Sequence, residues 1–365
     1  MINLDFMPSR RLALYLVRLF LTRTFAVLVM LVLVLMTLDL LGESGKILAV
    51  PGNGEAELWH YVTLRVPLLI QRFLPFSALL GTLIAFTALN QHSEVIAMKA
   101  AGLSAHQILA PLVVASLGIA ALAFIFNEGV AVNAARTVNA WDENDYRPIE
   151  SSNNVLSNVW VRAGDDLVHA RIVTGRGRAL RLQGVTIYDR SGGALQRVIG
   201  AERASQSRGA WKLEKVRTYD TSMNVVRRAG EAMALPGVTA DRFALAKVNP
   251  DERSFVDLRQ DIADLEEAGR PSEEARAGLW HKFSGPLSIV LMPLLAAVAA
   301  FGLARSGQVL LRAAAGMALG FAYFVIDNLS LALGNVGAYP AWLAAWAPFV
   351  LFLLIGEAVL VRSEE

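Results

Sequence analysis

Cysteine is absent from the 365 residues, so the chain can form neither a disulfide nor a thiolate metal site. That absence leaves the compartment open. Histidine is scarce as well. His60, His92, His106, His169 and His281 are scattered, with no HExxH-like pairing, which removes support for a zinc site. Neither sign of charge dominates: 34 Lys and Arg stand against 32 Asp and Glu, a formal net charge of +2. A nucleic-acid partner therefore has no compositional basis. A complete nucleotide motif is also missing. GESGK at 42–46 has the end of a phosphate-loop pattern, but Leu40 stands where its first Gly belongs and Ile47 where Ser or Thr must follow the Lys. TGRGR at 174–178 fails the same test and reads as a turn. Any ATP chemistry must therefore come from another chain, and no nucleophile–base pairing stands out in the polar middle of the sequence.

Apolar sequence is what the chain has in excess. It is 55% hydrophobic with a mean hydropathy of +0.44, too apolar for an ordinary soluble domain. The runs lie at 12–41, 73–90, 106–126, 282–303, 309–333 and 341–361. About 20 helical residues cross a hydrocarbon core, so six spans are expected. The first run is too long for a signal-peptide core and no small-residue cleavage site follows it closely, so it reads as an uncleaved helix. The block 128–279 is polar and has no run of that length. The expected division is 1–127 with three spans, 128–279 as an inserted domain, and 280–365 with three more.

Lys and Arg in short loops set orientation. Arg10, Arg11, Lys99, Arg305 and Arg362 fall on one side of a six-span layout, with Arg312 just inside it. The opposite short loops hold only Lys46. Both termini are therefore expected in the cytoplasm and the inserted domain outside.

That domain reads as strands from 155 to 221: VWVRAG, LVHARIV, GVTIYDR, LQRVIGAERASQ and WKLEKVRTYDT. Val168, Ala170 and Ile172 alternate with His169 and Arg171, the period of a half-buried strand. Gly164-Asp165-Asp166 and Ser191-Gly192-Gly193 supply turns. The expected fold class is an α-helical membrane protein with six transmembrane helices in a 3+3 arrangement and an inserted all-β domain, an antiparallel sandwich or roll, jelly-roll-like. A helix follows, with Leu258, Ile262 and Leu265 on one face and Ser254 as its cap.

Between the second and third runs lies a charged stretch, NQHSEVIAMKAAGLS. Residues 93–103 have helical composition. Ser93 is placed to cap, Glu94 suits the helix dipole, and Gly102 ends the segment. Ile96, Ala100 and Leu103 share a stripe. Ser104 and Gln107 form a capping box for the next helix. Two uses are open: a surface helix that only turns the chain, and a docking helix for a cytoplasmic partner.

Three stretches carry a family resemblance: FLPFSALLGTLIAFTALNQHSEVIAMKAAGLS, GLWHKFSGPLSIVLMPLLA and GFAYFVIDNLSLALGNVGAYPAWLAAWAP. With the three–domain–three layout, they resemble the LptF/LptG family of lipopolysaccharide-export permeases over essentially the whole chain. The SE-hydrophobic-AAG stretch and the VID-N of the fifth span are more similar to the LptG branch than to the LptF branch.

The resemblance implies a non-catalytic permease subunit of the bacterial inner membrane that extracts lipopolysaccharide and passes it to a periplasmic bridge. It implies an LptB ATPase dimer, an LptF permease and LptC as partners. It implies no cofactor on this chain, with ATP and Mg²⁺ in the ATPase. Glu94, with Ser93, Lys99 and Gly102 around it, matches the family's coupling helix. Arg72, Arg65, Arg136 and Lys46 are candidates for lipid-phosphate contacts at the outer rim; their other reading is snorkelling to headgroups. Related chains often carry lysines at the outer end of span one, where this one reads MTLDLLGES. Leu31, Leu35, Leu38, Phe76, Leu80, Phe321 and Phe324 are candidates for the cavity wall. Asp39 and Asp327 lie toward the outer ends of spans one and five, where an acid usually needs a partner. Asp327 is a candidate gate contact; its alternative is solvation in an open cavity.

Rival readings are weaker. The sibling LptF subunit would differ in its neighbours. A secondary transporter requires internal repeats and midplane ion ligands; the two halves show no obvious similarity and the deep charges are few. A membrane-anchored sensor leaves the charged helix and the outer arginines unused.

Overall fold

The computed structural model describes residues 7–148, 155–175, 180–190, 194–207, 210–220, 225–235, 238, 243, 248–267, 270–301 and 309–362. The turn at 191–193, most of the TGRGR stretch and the loop holding Arg305 lie outside them.

Helix α1 (Arg10–Leu48) and helix α2 (Glu55–Gln91) form an antiparallel hairpin. Gly52, at φ +99°, makes its turn in a conformation that suits glycine. A short helix α3 (Glu94–Ala100) leads to α4 (Ala105–Phe126). That rod continues through a π-helical turn, Asn127–Ala131, into α5 (Val132–Glu143). After the sheet come α6 (Phe255–Glu267), α7 (Glu273–Phe301), α8 (Val309–Asn335) and α9 (Ala341–Arg362). Among the described residues, six helical segments are long and apolar enough to cross a membrane.

The first three rods run well past their apolar stretches. Helix α2 starts at Glu55, ahead of the run at 73, and the third rod reaches Glu143. At 1.5 Å per residue, the 39 residues of α1 extend about 58 Å, roughly twice a hydrocarbon core. Hydropathy marks only the part that meets lipid; the polar continuation stays helical because it packs on neighbouring helices. GESGK is thus part of α1, not a loop.

Helix α1 buries one narrow ridge, Leu16, Phe20, Thr24, Leu28, Val32 and Met36, at strict i, i+4 spacing. It approaches α2 closely at Gly81, where an added Cβ would lie 2.7 Å from the Thr24 Cα. Only glycine lets two membrane helices come so near there. Helices α2 and α7 are the most buried of the six and α1 the least. Helix α7 packs on α2, α4, α8 and α9.

The inserted domain is one six-stranded antiparallel sheet in chain order: β1 (Val155–Ala163), β2 (Asp166–Thr174), β3 (Arg181–Asp189), β4 (Arg197–Ser207), β5 (Ala210–Tyr219) and β6 (Val225–Ala234). Among the described strands it is a meander, without the Greek-key crossings of a full jelly roll. Each strand pairs with its chain neighbour, as short turns favour. Its core lies on one face. Val168, Ala170, Val185, Ile187, Leu213 and Trp211 are buried there, joined by Leu235 and Phe243. Strand β6 was not expected. VVRRAGEAMA is poor in strand formers, and pairing with β5 overrides that weakness.

The chain returns from the sheet through a clamp. Glu128, in the π turn, accepts from the Phe255 amide at 2.6 Å and from Lys282 Nζ at 2.7 Å. Arg136 donates to the Glu252 carbonyl at 3.0 and 3.2 Å. Arg253 and Asp261, both nearly buried, pair at 2.9 Å. Ser254 caps α6 as expected, accepting from the Asp257 amide.

Candidate functional site

At the end of the bundle that carries both termini, α3 lies across the turn from α2 to α4. Its start differs from the sequence expectation. Ser93 sits at φ +57° and makes no side-chain cap, because the chain must reverse within the residues between Gln91 and Glu94. Its finish agrees: Gly102 is at φ +88°, and Ser104 with Gln107 closes a capping box at 3.1 and 3.0 Å. Val95 and Met98 anchor the helix inward, while Ile96, 67% exposed, faces outward with Ala97, Lys99 and Ala100. Leu103 of the expected stripe is half-buried. Glu94 lies at the boundary, and its Oε2 accepts from the Tyr15 hydroxyl of α1 at 2.9 Å.

The opposite end holds the candidate cations. Arg65 grips Asp39 with two bonds, Nε to Oδ2 at 2.9 Å and Nη2 to Oδ1 at 3.1 Å, and Tyr61 donates to the same carboxylate at 2.7 Å. Arg136 is committed to the clamp, with Asp257 also 3.6 Å away. Lys46, in the last turn of α1, pairs with Glu43 at 2.9 Å but stays largely exposed. It borders an open depression of about 510 Å³ that includes Asp142, Asp145 and Arg147. Arg72 is exposed on α2, one helical face with Arg65 but beyond the reach of Asp39. The corner between α1, α2 and α5 is filled by Tyr61, Trp141 and Tyr146 in edge contacts. Burial, and then its bond to Glu43 at 2.8 Å, push the Tyr146 phenol above its ordinary range.

The apolar candidates divide. Phe76 of α2 and Phe324 of α8 meet at 6.1 Å between ring centres. Leu35 and Leu80 pack beside that core, and Leu31 is half-buried. Leu38 and Phe321 are instead 61% and 64% exposed. They belong to outward apolar faces, Val29, Leu33 and Leu41 on α1 and Val325 and Leu329 on α8. Asp327 is only 7% exposed, which excludes the open-cavity solvation expected as its alternative. Its Oδ1 has no hydrogen-bond partner among the described residues.

A family model for the lipopolysaccharide export system permease LptF/LptG matches residues 14–362. The chain belongs to the LptF/LptG family. Among curated relatives, it is 26% identical to the lipopolysaccharide export system permease protein LptG of Escherichia coli K12, over 83% of this chain and 85% of that one. It is 27% identical to the LptG of Haemophilus influenzae, over 86% and 89%. The permease family, six apolar helices and inserted sheet together make this a multi-pass protein of the inner membrane.

Two pairings in this LptF/LptG chain escaped sequence reasoning, although a signal was there. Asp39 lies 13 residues before Gly52 and Arg65 lies 13 after it. Thr24 and Gly81 are 28 before and 29 after. In an antiparallel helix hairpin, residues equidistant from the turn face each other, so mirror counting finds both. The Tyr15–Glu94 and Glu128–Lys282 contacts have no such signature, since neither is made within one hairpin.

Proposed function

We propose that this chain is the LptG-type permease subunit of an ABC transporter, which extracts lipopolysaccharide from the inner membrane and passes it to a periplasmic bridge. ATP hydrolysis in a partner LptB dimer drives it, and an LptF permease and LptC complete the complex. The termini and α3 then lie in the cytoplasm and the sheet in the periplasm. The observation that carries this reading is α3 itself. It is a short helix held between two spans, anchored inward by Val95 and Met98, with an outward edge of Ile96, Ala97, Lys99 and Ala100 and a carboxylate at its start. Such a helix is shaped to enter a groove, and Glu94 keeps Oε1 for a basic residue of that groove while Oε2 holds Tyr15. Arg72 is the rim cation best placed for a lipid phosphate, because Arg65 and Arg136 are engaged within the protein. The outward apolar faces of α1 and α8 are suited to acyl chains and to the second permease.

Copurification tests the reading. The parent chain is expected to carry both an ATPase and a second six-span permease, and E94K to lose the ATPase at least ten-fold. An E94K chain that assembles and exports like the parent removes Glu94 from the dock.

A further inference from the structure

We infer that α1 is a rocker arm, driven at Tyr15, pivoting at Thr24 against Gly81, and latched at Asp39 by Arg65. This rests on the reading of α3 as the ATPase dock and adds how motion leaves that dock. Helix α3 follows directly from α2 and leads into α4, so those two helices are its obvious outlets. The side-chain bond at its charged end goes elsewhere, to the Tyr15 hydroxyl of α1. Helix α1 is suited to carry displacement. It is continuous for 39 residues and contains no proline, unlike α2, α4, α7 and α9. Within this chain it is also the least buried of the six apolar rods.

The pivot is the Thr24–Gly81 contact. Thr24 is fully buried there, and no room exists for even one methyl group on Gly81. Interfaces that tight resist sliding and separation but permit rotation about the contact. At 1.5 Å per residue, the arm from Tyr15 to Thr24 is about 13 Å and the arm from Thr24 to Leu48 about 36 Å. A displacement of about 1 Å at Tyr15 thus becomes nearly 3 Å at Leu48. On the long arm stands the Asp39–Arg65–Tyr61 cluster, a polar contact with discrete made and broken states of the kind that a switching element needs. Tyr15 is a positioning residue here: its hydroxyl acts through Glu94.

The absence of cysteine makes a direct distance measurement practical. L48C and W59C, both at exposed positions on the outer ends of α1 and α2, are spin-labelled in the whole complex with cysteine-free partners. Pulsed electron resonance then compares the nucleotide-free and vanadate-trapped states. The expected result is a shift of about 3 Å or more in the parent. Y15F should reduce that shift at least three-fold while the ATPase still copurifies, and G81A should reduce it at least two-fold. No shift in the parent, or an undiminished shift in either variant, overturns the rocker. Loss of the ATPase from Y15F also overturns it, by making Tyr15 part of the dock. A parent chain that binds no ATPase is a different failure, that of the functional reading itself.

Discussion

Arg65 of α2 and Asp39 of α1 hold each other in a two-pronged ion pair, at 2.9 and 3.1 Å, with Tyr61 donating to the same carboxylate. The pair joins the two helices of the hairpin toward its turn and takes Arg65 out of the pool of free cations. Both partners remain partly exposed, so each bond is that of a charged group short of full burial. R65A is expected to lower stability by about 1–3 kcal/mol, read as a fall in the melting temperature of the purified complex. R72E, by contrast, should leave melting within about 0.5 kcal/mol of the parent and reduce lipid extraction several-fold. Equal melting losses in the two variants would merge their roles.

The Glu128–Lys282 pair makes a sharper stability test. Lys282 is 6% exposed, and Glu128 also takes the Phe255 amide. K282M leaves a mostly buried carboxylate without its cation and should cost about 3–5 kcal/mol. Adding E128L should recover part of that loss, because two apolar groups then replace two charges. A double-mutant cycle in the melting data measures the coupling, and strictly additive losses would deny it.

Asp327 is buried with one carboxylate oxygen lacking a partner among the described residues. A group kept in that condition works against stability. D327L is therefore expected to raise the melting temperature of the isolated chain, and to lower export if the acid makes a contact during transport. A lowered melting temperature would mean that Asp327 is held by bonds of its own.

His169 sets a pH dependence for the sheet. Burial, and secondarily the nearby Arg171, hold its imidazole below the ordinary histidine range. Its ring lies tilted against that of Trp160, 4.5 Å between centres. The unfolded chain binds the proton more readily than the folded one. The stability it contributes is thus full above the ordinary pKa of about 6.5 and is lost as pH falls toward the lower folded value. Melting of the parent should drop between pH 7.5 and 5.5 by more than that of H169F. Identical pH profiles would assign the acid sensitivity elsewhere.

Much of the architecture was readable in advance. Six apolar runs, a polar insert with alternating strands, the Ser254 cap and the Ser104–Gln107 box depend on residues close in sequence, and local physics decides them. The fate of the charged candidates was not readable in the same way. Arg65, Arg72 and Arg136 look alike as arginines near helix ends, yet one is paired with a carboxylate, one is exposed and one binds a backbone carbonyl from the far side of the sheet.

The sequence by itself determined how many apolar helices the chain has, where the sheet is inserted and that a short surface helix lies between the second and third of them, because period and hydropathy are local properties. Tertiary structure alone decided that Glu94 answers to Tyr15, that Glu128 answers to Lys282 and that Arg136 binds the Glu252 carbonyl. Those outcomes depend on which surfaces meet after the chain has folded back across scores of residues, and contacts of that range leave no periodic mark on the sequence.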